Sequence, residues 1–284
     1  ALESAAVIRT ACIHDLPKLR ELFVNANDAP YSLAAVAEEK CFGHGVSGEP
    51  VVRVWGDFEG AAVTCGRHLR LLAVARASRR RGIGTALLKD AEERGANVIA
   101  AEAGNYFTPG VFDGDVGSVA FFRRHGYLET RFTHNLIANV GRASARPPQA
   151  DGLKPILRRA TAGEAEQVLD FIEKEFGRIW RFEAAKAFEE DPPRVFLTEE
   201  GGAITGFAVH DVNNRGLGFF GPTGVRKDQR GRGLGCDLLR ASLADLRGMG
   251  YERAVIPWTD ALEFYRKCSG ALPAHRFVAF ARPR

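Results

Sequence analysis

Residues 79–84 read Arg79-Arg80-Arg81-Gly82-Ile83-Gly84, and residues 230–235 read Arg230-Gly231-Arg232-Gly233-Leu234-Gly235. The same R-x-x-G-x-G element thus occurs twice, 151 residues apart. Each copy follows a strand-like apolar run, Leu71-Leu72-Ala73-Val74 in one and Phe219 to Val225 in the other. Each also opens a helix-like run, Thr85 to Asp90 and Cys236 to Ala241. A glycine-rich turn between a strand and a helix leaves several backbone N–H groups without partners at the positive end of the helix dipole. Such a turn suits a phosphate-bearing ligand, and glycine lets the backbone approach that ligand closely. Two copies predict a duplicated nucleotide- or coenzyme-binding domain.

The 284 residues are enough for two such domains, each of about 140 residues and near the common domain size. Hydrophobic content of 45% and charged content of 26% are ordinary for a globular chain. No window approaches the roughly 18 apolar residues that a membrane span needs. No basic segment followed by an apolar core opens the sequence, so the expected location is the cytoplasm. The five cysteines (Cys12, Cys41, Cys65, Cys236 and Cys268) form no CxxC pair. Neither a metal site nor a disulfide framework is expected, and all five are expected to be reduced and structural. The formal charge is only +4, and the Arg79-Arg80-Arg81 cluster lies inside the loop. Without a basic tail or interleaved aromatics, no nucleic-acid partner is expected.

The repeat extends beyond the loops. Val7 to Ala11 and then Asp15 to Phe23 predict a strand and an amphipathic helix. In the second half Ile156 to Ala160 predicts the strand, and Thr161 to Glu164 predicts a capping box before the helix. Short strands follow at 51–55 and 61–64, and again at 194–197 and 203–209. After each loop helix comes another strand (97–101, 253–257) and another helix, holding Phe121-Phe122-Arg123-Arg124 or Phe264-Tyr265-Arg266-Lys267. The Pro- and Gly-containing stretch 141–153 has no periodicity and is the expected linker between domains at 1–140 and 154–284.

This order of elements, the paired loops and the downstream F-[YF]-x-[KR] helix together resemble the GCN5-related N-acetyltransferase superfamily, as a tandem pair over nearly the whole chain. The resemblance implies two α/β domains, each a mixed central sheet flanked by helices. It implies acetyl-CoA as cosubstrate, with its pyrophosphate held by backbone N–H groups of Arg79, Arg80, Arg81, Gly82, Ile83 and Gly84. The second copy supplies Arg230, Gly231, Arg232, Gly233, Leu234 and Gly235. Oxyanion-stabilising N–H groups are implied near Val74 and Val225.

The halves differ where the resemblance implies an acid for the departing thiolate. Tyr265 occupies that position in the second half, where Phe122 stands in the first and has no proton to give. The second half is therefore expected to catalyse acetyl transfer to an amine, a small molecule or a peptide. The first half is expected to be catalytically weak, with Glu102 and the insertion at 104–111 as its own candidates. An asparagine that the superfamily often carries is replaced by Asp115 and Trp258. No general base stands out among Asp260, His210 and Asp211, which suit surface or hydrogen-bonding roles. A non-catalytic acyl-CoA sensor is the alternative. Either a monomer with an internal pseudo-dimer or a homodimer fits the duplication.

Overall fold

The computed structural model describes residues 7–26, 28–142 and 155–283, so the expected linker lies outside the described residues from 143 onward. The chain divides into two compact units, Ala1–Thr133 with His275–Arg284, and His134–Ala274. Among the described residues no helix is long and apolar enough to cross a membrane.

In the first unit, β1 (Ile8–Thr10) leads to α1 (Leu16–Ala26) and the short α2 (Ala37–Phe42). Helix α1 buries Leu16, Leu19, Leu22, Phe23 and Ala26, one apolar stripe at helical spacing. Strands β2 (Val51–Trp55), β3 (Gly60–Cys65) and β4 (His68–Val74) then follow, β2 and β4 each antiparallel to β3. Helix α3 (Ile83–Glu93) carries the chain to β5 (Val98–Ile99), parallel to β4. Strand β6 (Val111–Phe112) and α4 (Val116–Arg124) follow, α4 being capped by the Asp115 carboxylate, which accepts from Ser118 N at 2.9 Å. Strand β7 (Leu128–Asn139) then leads into the second unit.

The second unit repeats the plan with β8 (Ile156–Arg159), α5 (Ala165–Phe176), α6 (Arg178–Ala185), β9 (Val195–Glu200), β10 (Ala203–His210) and β11 (Phe220–Val225). Helix α7 (Leu234–Gly248), β12 (Arg253–Thr259), α8 (Leu262–Ser269) and β13 (Leu272–Ala281) complete the chain. The capping box ahead of α5 forms: Glu164 Oε2 accepts from Thr161 N at 2.8 Å. Strands β8 to β11 form an antiparallel sheet. These are the tandem α/β units, mixed sheet and flanking helices, that the resemblance implies.

Compact units and sequence repeats do not coincide at the ends of the strands. Residues 134–139 of β7 pair antiparallel with β12, and Leu136 and Ala138 enter the second unit's core. Residues from His275 of β13 return to the first unit, where Phe280 pairs with Ile99 and Phe277 with Phe112. Val278 and Phe280 are buried among Ile99, Phe122 and Tyr127. Each half thus lends the end of its last strand to the other's compact unit.

A fully buried ion pair anchors the first unit beneath β4. Arg70 is 2% exposed and donates to both Glu102 oxygens at 2.5 and 3.1 Å. Its third nitrogen donates to the carbonyls of Lys40 and Gly43. Asn105 completes the network, accepting from buried Lys40 at 2.9 Å and donating to Gly43 and His44 carbonyls. Removing one partner of such a pair leaves a buried charge uncompensated. Arg70→Met should therefore destabilise the first unit by about 3 to 5 kcal/mol in denaturant unfolding. The double variant Arg70→Met/Glu102→Leu should recover much of that loss. The exchange makes a separate prediction: Phe280→Ala, at the far end of the sequence, should cost about 3 to 5 kcal/mol. Hydrogen exchange should locate the loosening at β5 of the first unit.

Candidate functional site

Strand β4 pairs with β5 only at His68↔Val98 and Leu69↔Ile99. Beyond that point the two part, because Ala100 and Ala101 take φ of 51° and 54° and turn β5 away. The edge of β4 from Arg70 to Val74 is left without a strand beside it. At its far end lies the loop and the start of α3. Gly82 caps α3 at φ 83°, a left-handed conformation that favours glycine, and no side chain caps the helix's first turn. A cavity of about 510 Å³ occupies the split. Leu71, Val74, Gly82, Gly84, Phe121 and Phe122 are among its walls. The combination supplies unpaired backbone donors on one wall and a helix N-terminus at one end, a setting for an extended ligand with a phosphate group.

The second unit repeats this geometry. Strand β11 meets β12 through the single parallel bridge Phe219↔Val255, and Trp258, at φ 51°, sits in an irregularity of β12. Gly233 caps α7 at φ 87°, again with no side-chain cap. Two pairs of glycines make the close packing possible. A Cβ on Gly84 would lie 3.6 Å from Phe121, and one on Gly235 would lie 3.2 Å from Phe264. Gly60 faces Val74 across β3 and β4, and Gly206 faces Val225 in the same register of the second unit. A Cβ on Gly60 would come within 2.8 Å of Ile83, so these glycines let the loop helix lie against the sheet. Sequence reasoning missed Gly60 and Gly206, although Gly206, a lone glycine inside an apolar strand run, was a signal.

The loop arginines divide by role. Arg79 Nε donates to the Val74 carbonyl at 3.1 Å, and Arg230 Nε donates to the Val225 carbonyl at 3.2 Å. This repeated bond ties the loop to the end of its strand. Arg79 also pairs with Asp28, whose carboxyl is pushed up by burial but held below the usual range by Arg76 and Arg79. Arg232 pairs with Glu200 at 2.6 and 2.7 Å and also donates to Gln229. Arg80 and Arg81 are exposed and form no ion pair among the described residues. Each loop therefore has one arginine in an ion pair, Arg79 or Arg232, and among the described residues leaves Arg80 and Arg81 in the first and Arg230 in the second outside any.

Phe122 lines the first cavity, and Tyr265 occupies the corresponding position of α8. Tyr265 is 9% exposed, set edge-on to Phe220 and Phe264, and its hydroxyl makes no hydrogen bond among the described residues. Burial pushes its pKa up to about 12. Asp115 is engaged as the cap of α4, and Trp258 N donates to Asn135.

The base candidates fare differently. His210 and Asp211 are buried, so of the surface and hydrogen-bonding roles expected for them they take the second. His210 bonds Asp245 at 2.6 Å; burial works against the Asp245 charge, yet His210 and Arg159 hold its carboxyl at about 2. Asp211 accepts from Gly216, Gly218, Arg194 and Tyr251, although burial leaves its carboxyl above the usual range. Both carboxylates hold the fold together. Glu102 is likewise committed to Arg70, while Phe107, Thr108, Gly110 and Val111 of the insertion line the first cavity. Asp260 is exposed beyond β12.

Two cysteines depart from expectation. Cys236, in the first turn of α7, and Cys268, near the end of α8, form a disulfide with Cα atoms 5.2 Å apart. Their separation of 32 residues gave no sign of it, because the pairing arises only when α7 and α8 pack together. The corresponding residues of the first unit are Thr85 and His125, whose side chains meet at 3.2 Å.

Comparison with known proteins agrees with this architecture. The profile of the acetyltransferase (GNAT) family matches residues 10–127 and again 164–270. No curated protein matches the chain significantly. Among solved structures, a GCN5-related glucosamine N-acetyltransferase region of a fungal multi-domain GH3 β-N-acetylglucosaminidase superposes with a TM-score of 0.78 at 18% identity. The match covers 97% of this chain, which spans 38% of that protein. A GCN5-related N-acetyltransferase from Sphaerobacter thermophilus has a TM-score of 0.69 at 21% identity, covering 100% and 98% of the two chains. A tandem GNAT protein from the clavulanic acid biosynthesis pathway has a TM-score of 0.67 at 16% identity, covering 97% of each. At these identities the structural likeness is one of fold, whereas the family profile matches once in each half and the two matches together cover most of the sequence. The chain therefore belongs to the acetyltransferase (GNAT) family and carries two of its domains in tandem.

Proposed function

We propose that the protein is an N-acyltransferase that moves an acetyl group from acetyl-CoA to an amine, with a coenzyme cleft in each unit and the chemistry in the second. One observation carries the reading. The unpartnered edge of β4 ends at an uncapped helix N-terminus within a 510 Å³ cavity, and the second unit repeats the split and the loop. The pyrophosphate would take the N–H groups of 82–84 and 233–235, and the thioester would lie along the strand edge at Val74 or Val225.

In the second cleft the neutral amine attacks the thioester carbonyl, forming the C–N bond, and the C–S bond then breaks. The nitrogen's extra proton leaves to water, and Tyr265 gives its proton to the CoA thiolate. Its equivalence to cavity-lining Phe122 supports that assignment. Phe122 in the open first cleft favours a second reading, an acyl-CoA sensor without turnover. The fungal relative's glucosamine activity makes an amino sugar the first acceptor to assay, beside a peptide amine.

Calorimetry in reducing buffer should count two acetyl-CoA molecules per chain. Gly82→Val and Gly233→Val should each remove one, because a β-branched residue at these left-handed positions strains the loop. A count unchanged by both variants, or no binding at all, overturns the coenzyme assignment. Tyr265→Phe should lower kcat by about 100-fold with little change in KM for acetyl-CoA, whereas a sensor has no turnover to lose. The acid form of Tyr265 is the protonated one, and burial raises its pKa to about 12. Turnover should therefore hold through about pH 10, where an ordinary tyrosine would already have lost half its protons.

A further inference from the structure

In the first unit, Thr85 follows the last loop glycine and His125 ends the ridge of α4 three residues after Phe122; both line the cavity. Their side chains touch across the approach to the cleft through a single hydrogen bond, which a ligand can displace. In the second unit the same two positions hold Cys236 and Cys268, joined covalently. A disulfide restricts the Cα separation to about 4.4 to 6.8 Å, so α7 and α8 cannot part there while the bond exists. Packing at the adjacent turn is also closer, since Gly235 and Phe264 leave less room than Gly84 and Phe121.

We propose that Cys236 and Cys268 form a reversible thiol–disulfide clasp that closes the second coenzyme cleft when oxidised and opens it when reduced. The proposal rests on the reading that this cleft holds acyl-CoA. The chemistry favours attack through Cys236, which is half-buried in the first turn of a 15-residue helix, whereas Cys268 is 5% exposed. A helix N-terminus stabilises a thiolate. The Cys236 thiolate attacks a low-molecular-weight disulfide, RSSR, releasing one RS⁻ and forming a mixed disulfide. The Cys268 thiolate then attacks the Cys236 sulfur, releasing the second RS⁻ and closing the protein bond. In sum, two protein thiols are oxidised to one disulfide, RSSR is reduced to two RSH, and a dithiol reductant reverses the exchange. The first unit has no cysteine at these positions, and its own three are exposed Cys12 and buried Cys41 and Cys65. It therefore serves as an internal control.

The test is acetyl-CoA calorimetry on the intact chain, oxidised with glutathione disulfide or reduced with dithiothreitol, with the Cys236–Cys268 bond followed by peptide mapping. The reduced chain should bind two coenzymes. The oxidised chain should bind one, its second-unit affinity having fallen by about tenfold or more. The variant Cys236→Thr/Cys268→His, which rebuilds the first unit's pair, should bind two under both conditions. Equal second-unit affinity in both states, with the bond mapped as formed and broken, overturns the clasp. So does a bond that never forms in the folded chain. Failure of the reduced chain and of the rebuilt variant to bind any coenzyme instead overturns the acyl-CoA reading itself, and the clasp with it.

Discussion

The arrangement depends on a hydrogen-bonding constraint: a strand edge that leaves its neighbour must find other partners for its backbone groups or remain open to a ligand. Strand β4 stops pairing with β5 after two residues, and β11 meets β12 at a single bridge. In each unit the freed edge runs to a loop whose helix begins without a side-chain cap. In the first unit the open donors of strand and helix therefore converge on one cavity, and the second unit repeats the strand edge and the loop. The glycines serve this geometry, through left-handed φ at Gly82 and Gly233 and through close packing at Gly60 and Gly206.

Holding two strands apart requires rigidity on both sides of the split. In the first unit the buried Arg70–Glu102 pair and its carbonyl acceptors fix the base of β4 to the segment after β5. The same network holds Asn105 and so positions Phe107 and Thr108 at the cavity wall. The exchanged strand β13 covers the far side of β5, filling the core with Val278 and Phe280. A long-range pairing thus supports a local opening, and the first cleft draws on both ends of the chain.

Duplication has left two copies of one backbone with different chemistry on it. Among the described residues Arg80 and Arg81 of the first loop form no ion pair, and Phe122 lines its cavity. The second loop has Arg232 tied to Glu200, yet it carries Tyr265 and a covalent bond where the first has a hydrogen bond. Backbone anion sites tolerate such divergence because their donors are main-chain N–H groups, which side-chain changes leave in place. Tyr265 and the Cys236–Cys268 bond are side-chain features and can differ freely between copies.

The sequence by itself determined the duplicated plan, the loops and the difference between Phe122 and Tyr265. Each of these is written in short-range patterns: glycine at a left-handed turn, apolar residues at helical or alternating spacing, one aromatic exchanged for another within the same F-[YF]-x-[KR] run. The capping box at Thr161 and Glu164 was legible for the same reason. Tertiary structure decided the rest. Arg70 and Glu102 are 32 residues apart, as are Cys236 and Cys268, and neither pair shares an element whose period would align it. Phe280 meets Ile99 from the other end of the chain, and nothing in the apolar alternation of β7 or β13 names the sheet it joins. For His210 and Asp211 the sequence left surface and hydrogen-bonding roles both open, and packing against Asp245 and Arg194 selects the second. A local pattern specifies which face of an element is buried; which core buries it is settled by chain connectivity and volume, and those exist only in the folded molecule.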